Sequence, residues 1–289
     1  MPSQPSRYAR RKPSKGASGS RRWLSVAVVA AVVVVVLIAV VRGLGPSSSA
    51  KPETATPVPA SVMRELAGIP LATWNAVGAK SAVPPVMVSA LKPVAKPTFL
   101  YIGAEFCPFC AAERWSMITA LARFGSLQKL SYIGSSATDV YPNTPTFSFY
   151  GSTYTSPVLD LQAVETTTNV PQGSGYQPLQ TPTAAQQALL SKYDNTPYFQ
   201  SSGNIPFVLI GGTYAWQGAS FDPKLLAGAK QAAIAAQLAA GTSPAAQAIL
   251  ANANVMTAAI CAVNGGQPGS VCSSAGVKAG AAVLPTTVK

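Results

Sequence analysis

Two cysteines three positions apart, Cys107 and Cys110, stand where a short apolar run gives way to a helical pattern, and that junction limits what the chain can become. Thr98 to Ile102 is rich in the β-branched and aromatic residues that suit a buried strand. Gly103 interrupts the run. From Pro108 the spacing turns helical, with Ala111, Trp115, Ile118, Leu121 and Ala122 on one apolar stripe. Pro108 suits the first helical position, where a missing N–H costs nothing and its fixed φ is already helical. A helix start offers unpaired N–H groups and the positive end of the macrodipole, and both stabilise a thiolate at Cys107. Cys110, one turn further on, is placed to attack a mixed disulfide formed on Cys107. This reading expects an exposed Cys107 of lowered pKa and a Cys110 kept protonated by burial.

The same spacing also occurs in inert disulfides and in zinc sites. A four-cysteine zinc site needs a second closely spaced pair, whereas Cys261 and Cys272 have ten residues between them and lie far down the chain, and there is no histidine. The order strand, CxxC, helix therefore favours redox use.

The net charge of +12 resembles a nucleic-acid signal but is unevenly placed. Eight of the 21 basic residues lie in the first 42 positions with no acid among them, and the remaining 13 face nine acids. No nucleic-acid partner is expected. Trp23 to Val41 contains nothing more polar than Ser25, long enough to cross a hydrocarbon core of about 30 Å. The positive flank predicts a cytoplasmic residue 1–22 tail, a transmembrane helix over 23–41 and an extracytoplasmic remainder, making a single-pass cell-membrane protein. A cleaved signal ending at Ser48-Ser49-Ala50 is the rival, against which the length of the apolar run argues. Disulfides persist outside the cytoplasm under either reading.

Residues 42–60, rich in Pro, Ser, Ala and Thr, read as a tether. Short helical pieces follow between Ser61 and Val77, and a short strand lies somewhere in Val86 to Lys96. Lys129 to Gly134 is expected to be the parallel partner of the first strand, closing a βαβ unit. Residues 135–202 read as a helical or irregular insertion covering or flanking the reactive pair, with strand-like pieces at Thr146 to Tyr150 and Val158 to Glu165 and a helix from Pro182 to Tyr193. Phe207 to Ile210 and Thr213 to Gln217 form a hairpin about Gly211-Gly212. Asp222-Pro223 starts a helix through Leu238, and Ser243-Pro244 a second one to about Val263, together a C-terminal helical hairpin. Cys261 and Cys272 pair most simply as a structural disulfide, with a shuttle pair exchanging with the CxxC as the alternative. Residues 265–289 are expected to be a flexible tail.

This order of elements resembles the thioredoxin superfamily. The resemblance implies that Pro206, in Ile205-Pro206-Phe207, is a cis-proline facing the pair and receiving substrate backbone; an ordinary trans proline opening a strand is the alternative. More closely, GAEFCPFCAAERW resembles the signature of the bacterial and archaeal family catalogued as domain of unknown function 929, over roughly residues 61–264. It implies a thioredoxin-like extracytoplasmic protein. The chain departs from thioredoxin in having Phe106 before the pair and Pro108-Phe109 within it, and it lacks the histidine with which DsbA-like oxidases hold their thiolate. The helix terminus and Arg114 are then left to stabilise it, although Arg114, two turns on, is out of reach if it points outward. Glu113 shares a helix face with Cys110 and is a candidate proton acceptor; its alternative is a solvated carboxylate, or one paired with Arg114 or another cation. Glu105 is the other acid at the motif, and Trp115 reads as core.

The expected fold is α/β and thioredoxin-like, with residues 61–264 as the extracytoplasmic domain. The expected activity is thiol–disulfide exchange on protein thiols or disulfides without a cofactor or metal. Cys107 attacks, Cys110 resolves, Pro206 and Glu113 assist, and a membrane redox partner recycles the site. The alternative is a non-enzymatic envelope-binding domain with a static CxxC bridge.

Overall fold

The computed structural model describes residues 55–289. The basic tail, the apolar segment 23–41 and most of the tether fall outside them. A mixed α/β architecture is built on a five-stranded sheet of β1 (Val86–Met87), β2 (Thr98–Gly103), β3 (Asp160–Glu165), β4 (Phe207–Ile210) and β5 (Tyr214–Gln217), in the order β1-β5-β4-β2-β3. Only β2 and β3 are parallel, in a register that sets Gly103 beside Glu165. β4 runs antiparallel to β2 with Phe207 beside Ile102. The residue after Pro206 thus lies at the end of β2 from which the chain leaves for the CxxC.

Strand alternation divides the core into two layers. Phe99 and Tyr101 face one side with Val208, Ile210 and Trp216, while Leu100 and Ile102 face the other with Val164, Phe207 and Leu209. In the core on the first side lie α1 (Pro108–Leu121) and α4 (Pro244–Val263), and α3 (Gln231–Leu238) joins the same core against α4. The second side is covered by α2 (Ala184–Tyr193) and its following turn, through Leu190, Tyr193, Tyr198 and Phe199. Thr183 caps α2 in a reciprocal capping box with Gln186.

Several expectations need correction. Ser131–Gly134 is not the parallel neighbour of β2; it pairs antiparallel with Pro145–Ser148 in a separate sheet. That ribbon is held on α1, where Trp115 Nε1 donates to the Pro145 carbonyl at 2.9 Å and Thr146 Oγ1 donates to Ala111 O at 2.8 Å. The parallel strand comes from the stretch expected to be an insertion, so residues 135–202 contribute to the central sheet as well as flanking it. The amphipathic α1 is likewise corrected: every residue except Phe109 is buried, because the ribbon and α4 cover the side that a two-layer fold would leave to water.

The helix expected from Asp222 breaks into a 3-10 turn, Pro223–Leu226, and α3, with Gly228 at φ +71° between them. The flexible tail is corrected too. Gly269–Cys272 and Ala275–Ala281 are helical, and the latter lies so close to its neighbours that a Cβ at Gly276 or Gly280 would sit 2.5 Å from the carbonyl oxygens of Trp74 and Asn254. Two glycines one turn apart allow that approach. Among the described residues α4 is the one helix long and apolar enough to cross a membrane, and 89% of its apolar window is buried in the fold. It is a core helix, with Asn254 donating to Trp74 O and Gly78 O.

Candidate functional site

Cys107 is the N-cap of α1, with extended backbone, and Pro108 takes the first helical position. The Cys110 N–H, otherwise an orphan of the first turn, donates to Cys107 Sγ at 3.3 Å. On its other side Cys107 Sγ lies 3.8 Å from Ile205 O, to which the thiol donates. The Ile205–Pro206 peptide is cis. Cys107, Cys110 and Pro206 therefore meet at one end of the sheet, with both cysteine thiols free.

Neither thiol is exposed. Cys107 has 4% of its surface accessible and Cys110 none, so the expectation of an open Cys107 is corrected. Aromatic rings surround the turn. Phe106 stacks on Tyr176 with centroids 4.1 Å apart and planes 7° from parallel, and Phe109 meets Tyr141 edge-on at 5.8 Å. Ser136 fixes this cover: its N–H donates to Phe106 O at 2.7 Å and its hydroxyl accepts from Tyr176 Oη at 2.8 Å.

The two sulfurs differ in acidity. Hydrogen bonding from the Cys110 side chain lowers Cys107 below an ordinary thiol against the opposing effect of burial, with the Cys110 N–H and the Arg114 charge adding to it. Cys110 is pushed well up, first by burial and then by its hydrogen bond to Cys107. One thiol is set to ionise and the other to hold its proton.

Arg114 and Glu113 exchange the roles that spacing suggests. Glu113 is fully buried, but its carboxylate oxygens are taken by Ser220, from the N–H at 2.7 Å and the hydroxyl at 2.8 Å. It is enclosed in the fold, and its hydrogen bonds go to Ser220 and not to Arg114. Desolvation pushes its pKa up to about 7. Arg114 instead points inward with no exposure and is forked on Glu165, Nε to Oε1 at 2.9 Å and Nη2 to Oε2 at 2.6 Å. Nη2 also donates to Ala104 O at 2.8 Å. Tyr101 lies beside them, its hydroxyl 3.4 Å from Glu165 Oε2. Glu105 is buried too, accepts from Ser148 Oγ, and has its pKa raised by burial.

Glu165 and Tyr101 belong to this centre and carry no motif. The available signal is an acid closing the strand-like stretch Val158 to Glu165, but nothing in that pattern points to an arginine 51 positions earlier. Trp115 is core. Cys261 and Cys272 are bonded to each other. Among the described residues no group of three or more His, Cys, Asp or Glu side chains is arranged to hold a metal ion.

A family model described as Domain of unknown function (DUF929) matches residues 85–262, more than half of the chain. The chain belongs to this family. No curated protein and no solved structure matches it. The DUF929 match runs from β1 almost to the end of α4, so it takes in the whole central sheet, the CxxC and Glu165. Within DUF929 bounds lies Cys261 but not Cys272, so the second half of that disulfide comes from outside the matched region.

Proposed function

We propose that this DUF929 protein is a thiol–disulfide oxidoreductase on a thioredoxin-like scaffold, acting on protein thiols or disulfides. The observation that carries the reading is the Cys110 N–H donating to Cys107 Sγ at the start of α1, with the Ile205 carbonyl on the other side of the sulfur. A helix N-terminus and a lowered pKa make Cys107 the attacking thiolate, and buried Cys110 the resolving thiol. The thioredoxin-like assignment is supported by a parallel β2-α1-β3 crossover followed by the antiparallel β4-β5 hairpin with Pro206 at its entrance. Pro206 is assigned to the substrate-side backbone contact. Glu113, spent on Ser220, is left out of the exchange.

The localisation reading rests on the sequence alone: the basic residues before Trp23–Val41 support a single-pass anchor with the catalytic domain outside the cytoplasm. Recovery of a shorter soluble species beginning near Ala50 would overturn the anchor.

One observation favours a second reading, a binding domain with an inert CxxC bridge: Cys107 is almost wholly covered. A Cys110→Ser variant in cells separates the two. The exchange reading expects partner proteins held covalently on Cys107; no adduct, with a reduction potential below about −300 mV, marks a structural bridge.

A further inference from the structure

Arg114 occupies a position that packing alone does not explain. A long cationic side chain is fully buried between α1 and β3, and it is incompletely satisfied: Nη1 has neither a hydrogen-bond partner nor solvent. Its carboxylate partner is the opposite. Glu165 accepts from Arg114 Nε, Arg114 Nη2, Tyr101 Oη and the Phe149 N–H, so its charge is spread over four donors. The pair is therefore lopsided, with negative charge absorbed locally and a guanidinium edge left unspent. Buried polar groups are rarely left so, because a donor on a charged group that makes no hydrogen bond has lost its hydration with nothing in return.

The remaining Arg114 contact leads to the cysteines. Nη2 holds Ala104 O, in the turn between β2 and Cys107. The Ala104 backbone and the Arg114 charge are the two influences that lower Cys110 against its burial, and Arg114 lowers Cys107 as well. The other ionisable groups near this centre are Tyr101 on β2, Glu165 on β3 and Glu105 in the turn, whose charges interact with Arg114.

We propose that Arg114, locked by Glu165 and Tyr101 beneath the CxxC turn, is the positioning residue that makes the buried Cys110 able to act as the resolving nucleophile. This rests on the exchange reading above and supplies what it lacks, a group that helps a fully buried thiol to ionise. In the step concerned, the Cys110 thiol gives up its proton to buffer base, and the Cys110 thiolate attacks Cys107 Sγ of a mixed disulfide. A Cys107–Cys110 bond forms, the bond from Cys107 to the substrate sulfur breaks, and the substrate leaves as a thiolate that is protonated or not according to its own acidity. Over the cycle one substrate disulfide gains two electrons and the cysteine pair loses them. Arg114 does not touch the substrate; its fixed charge stabilises the transient thiolate in a site closed to solvent.

The test uses an aromatic disulfide, 5,5′-dithiobis(2-nitrobenzoate), on the reduced protein. Attack by Cys107 releases one coloured thiol, and resolution by Cys110 releases the second. Removing Arg114 alone would strand Glu165, so the informative variant is Arg114→Met with Glu165→Gln, compared with Arg114→Lys. The proposal expects the second release at neutral pH to slow about tenfold in the double variant, with its pH midpoint raised by about one unit. Arg114→Lys should recover most of the loss, because the charge returns. A double variant that folds with native circular dichroism and keeps the wild-type pH profile of the second release overturns the proposal and leaves the exchange reading intact. A wild-type Cys107 that never releases the first thiol overturns the exchange reading itself, and this inference falls with it. A double variant that fails to fold shifts the decision to Arg114→Lys combined with Glu165→Gln: charge kept and profile kept supports the proposal, charge kept and resolution lost overturns it.

Discussion

Arg114 Nη2 and Glu165 Oε2 lie 2.6 Å apart with neither side chain exposed, joining the CxxC helix to the last residue of the parallel strand beside it. Two buried ions each lose several kcal/mol of hydration, and the forked geometry with added donors from Tyr101 and Phe149 offsets that loss.

Breaking this pair from one side should cost more than removing it whole. Glu165→Ala leaves a buried guanidinium unpaired and is expected to destabilise by about 3–5 kcal/mol, while Arg114→Met with Glu165→Gln should cost less than the sum of the singles. Urea unfolding of the four members of the cycle measures it. Additive costs would mean that the two side chains do not stabilise each other.

Gly103 should not accept a methyl group. A Cβ there would lie 2.1 Å from Tyr101 Oη and 2.4 Å from Cζ, in a strand with no room to move aside. Gly103→Ala is expected to lose about 1–3 kcal/mol by overpacking. Tyr101→Phe should not rescue it, since the ring carbon still clashes. A wild-type melting temperature for Gly103→Ala would contradict the packing described.

Glu113 should make stability depend on pH. Its folded pKa is raised from the ordinary 4.5 to about 7 by burial, so the folded state binds more protons than the unfolded one between those values. Stability from this group is fully present below about pH 4.5 and is lost as pH rises through about 7, by roughly 3 kcal/mol across the window. Glu113→Gln, which cannot ionise, should flatten the difference between unfolding curves at pH 5 and pH 7.5. An unchanged pH slope in that variant would show that other groups carry it.

The disulfide should act on stability and not on the reactive pair. Cys261 in α4 and Cys272 close a short loop across sequence separation 11. Replacing both by serine should cost about 3 kcal/mol in the chain-entropy account. Alkylation of reduced protein at mildly acidic pH should still mark Cys107 ahead of Cys110 in that variant, as in wild type, because the lowered pKa has local causes. Mass spectrometry of the labelled peptides gives the order. Loss of thiol–disulfide exchange with unchanged folding would favour a shuttle role for the second pair.

Local patterns in the sequence determine a good part of this molecule. The strand to Gly103, the CxxC at a helix start, the hairpin about Gly211-Gly212 and the long alanine-rich helix to Val263 are each set by apolar period, turn residues and caps within a few positions of one another. The meeting of Cys107 with Ile205-Pro206 is nearly as legible, since an apolar strand opening at Pro206 and pairing antiparallel with β2 brings its first residues to the CxxC end.

Only the tertiary structure decided the rest. Helix α1 has one visible apolar stripe, yet all of it except Phe109 is buried because the Pro145–Ser148 ribbon and α4 cover its remaining faces. That enclosure forces both charged residues of the helix to find partners inside. Glu113 takes Ser220, 107 positions away, and Arg114 takes Glu165, 51 positions away. Helical spacing could rank Glu113 as the acid nearest Cys110 and Arg114 as a surface charge, because it reports which way a side chain leaves one helix. What each side chain meets is set by the strand that the chain returns with later, and desolvation makes that later partner obligatory.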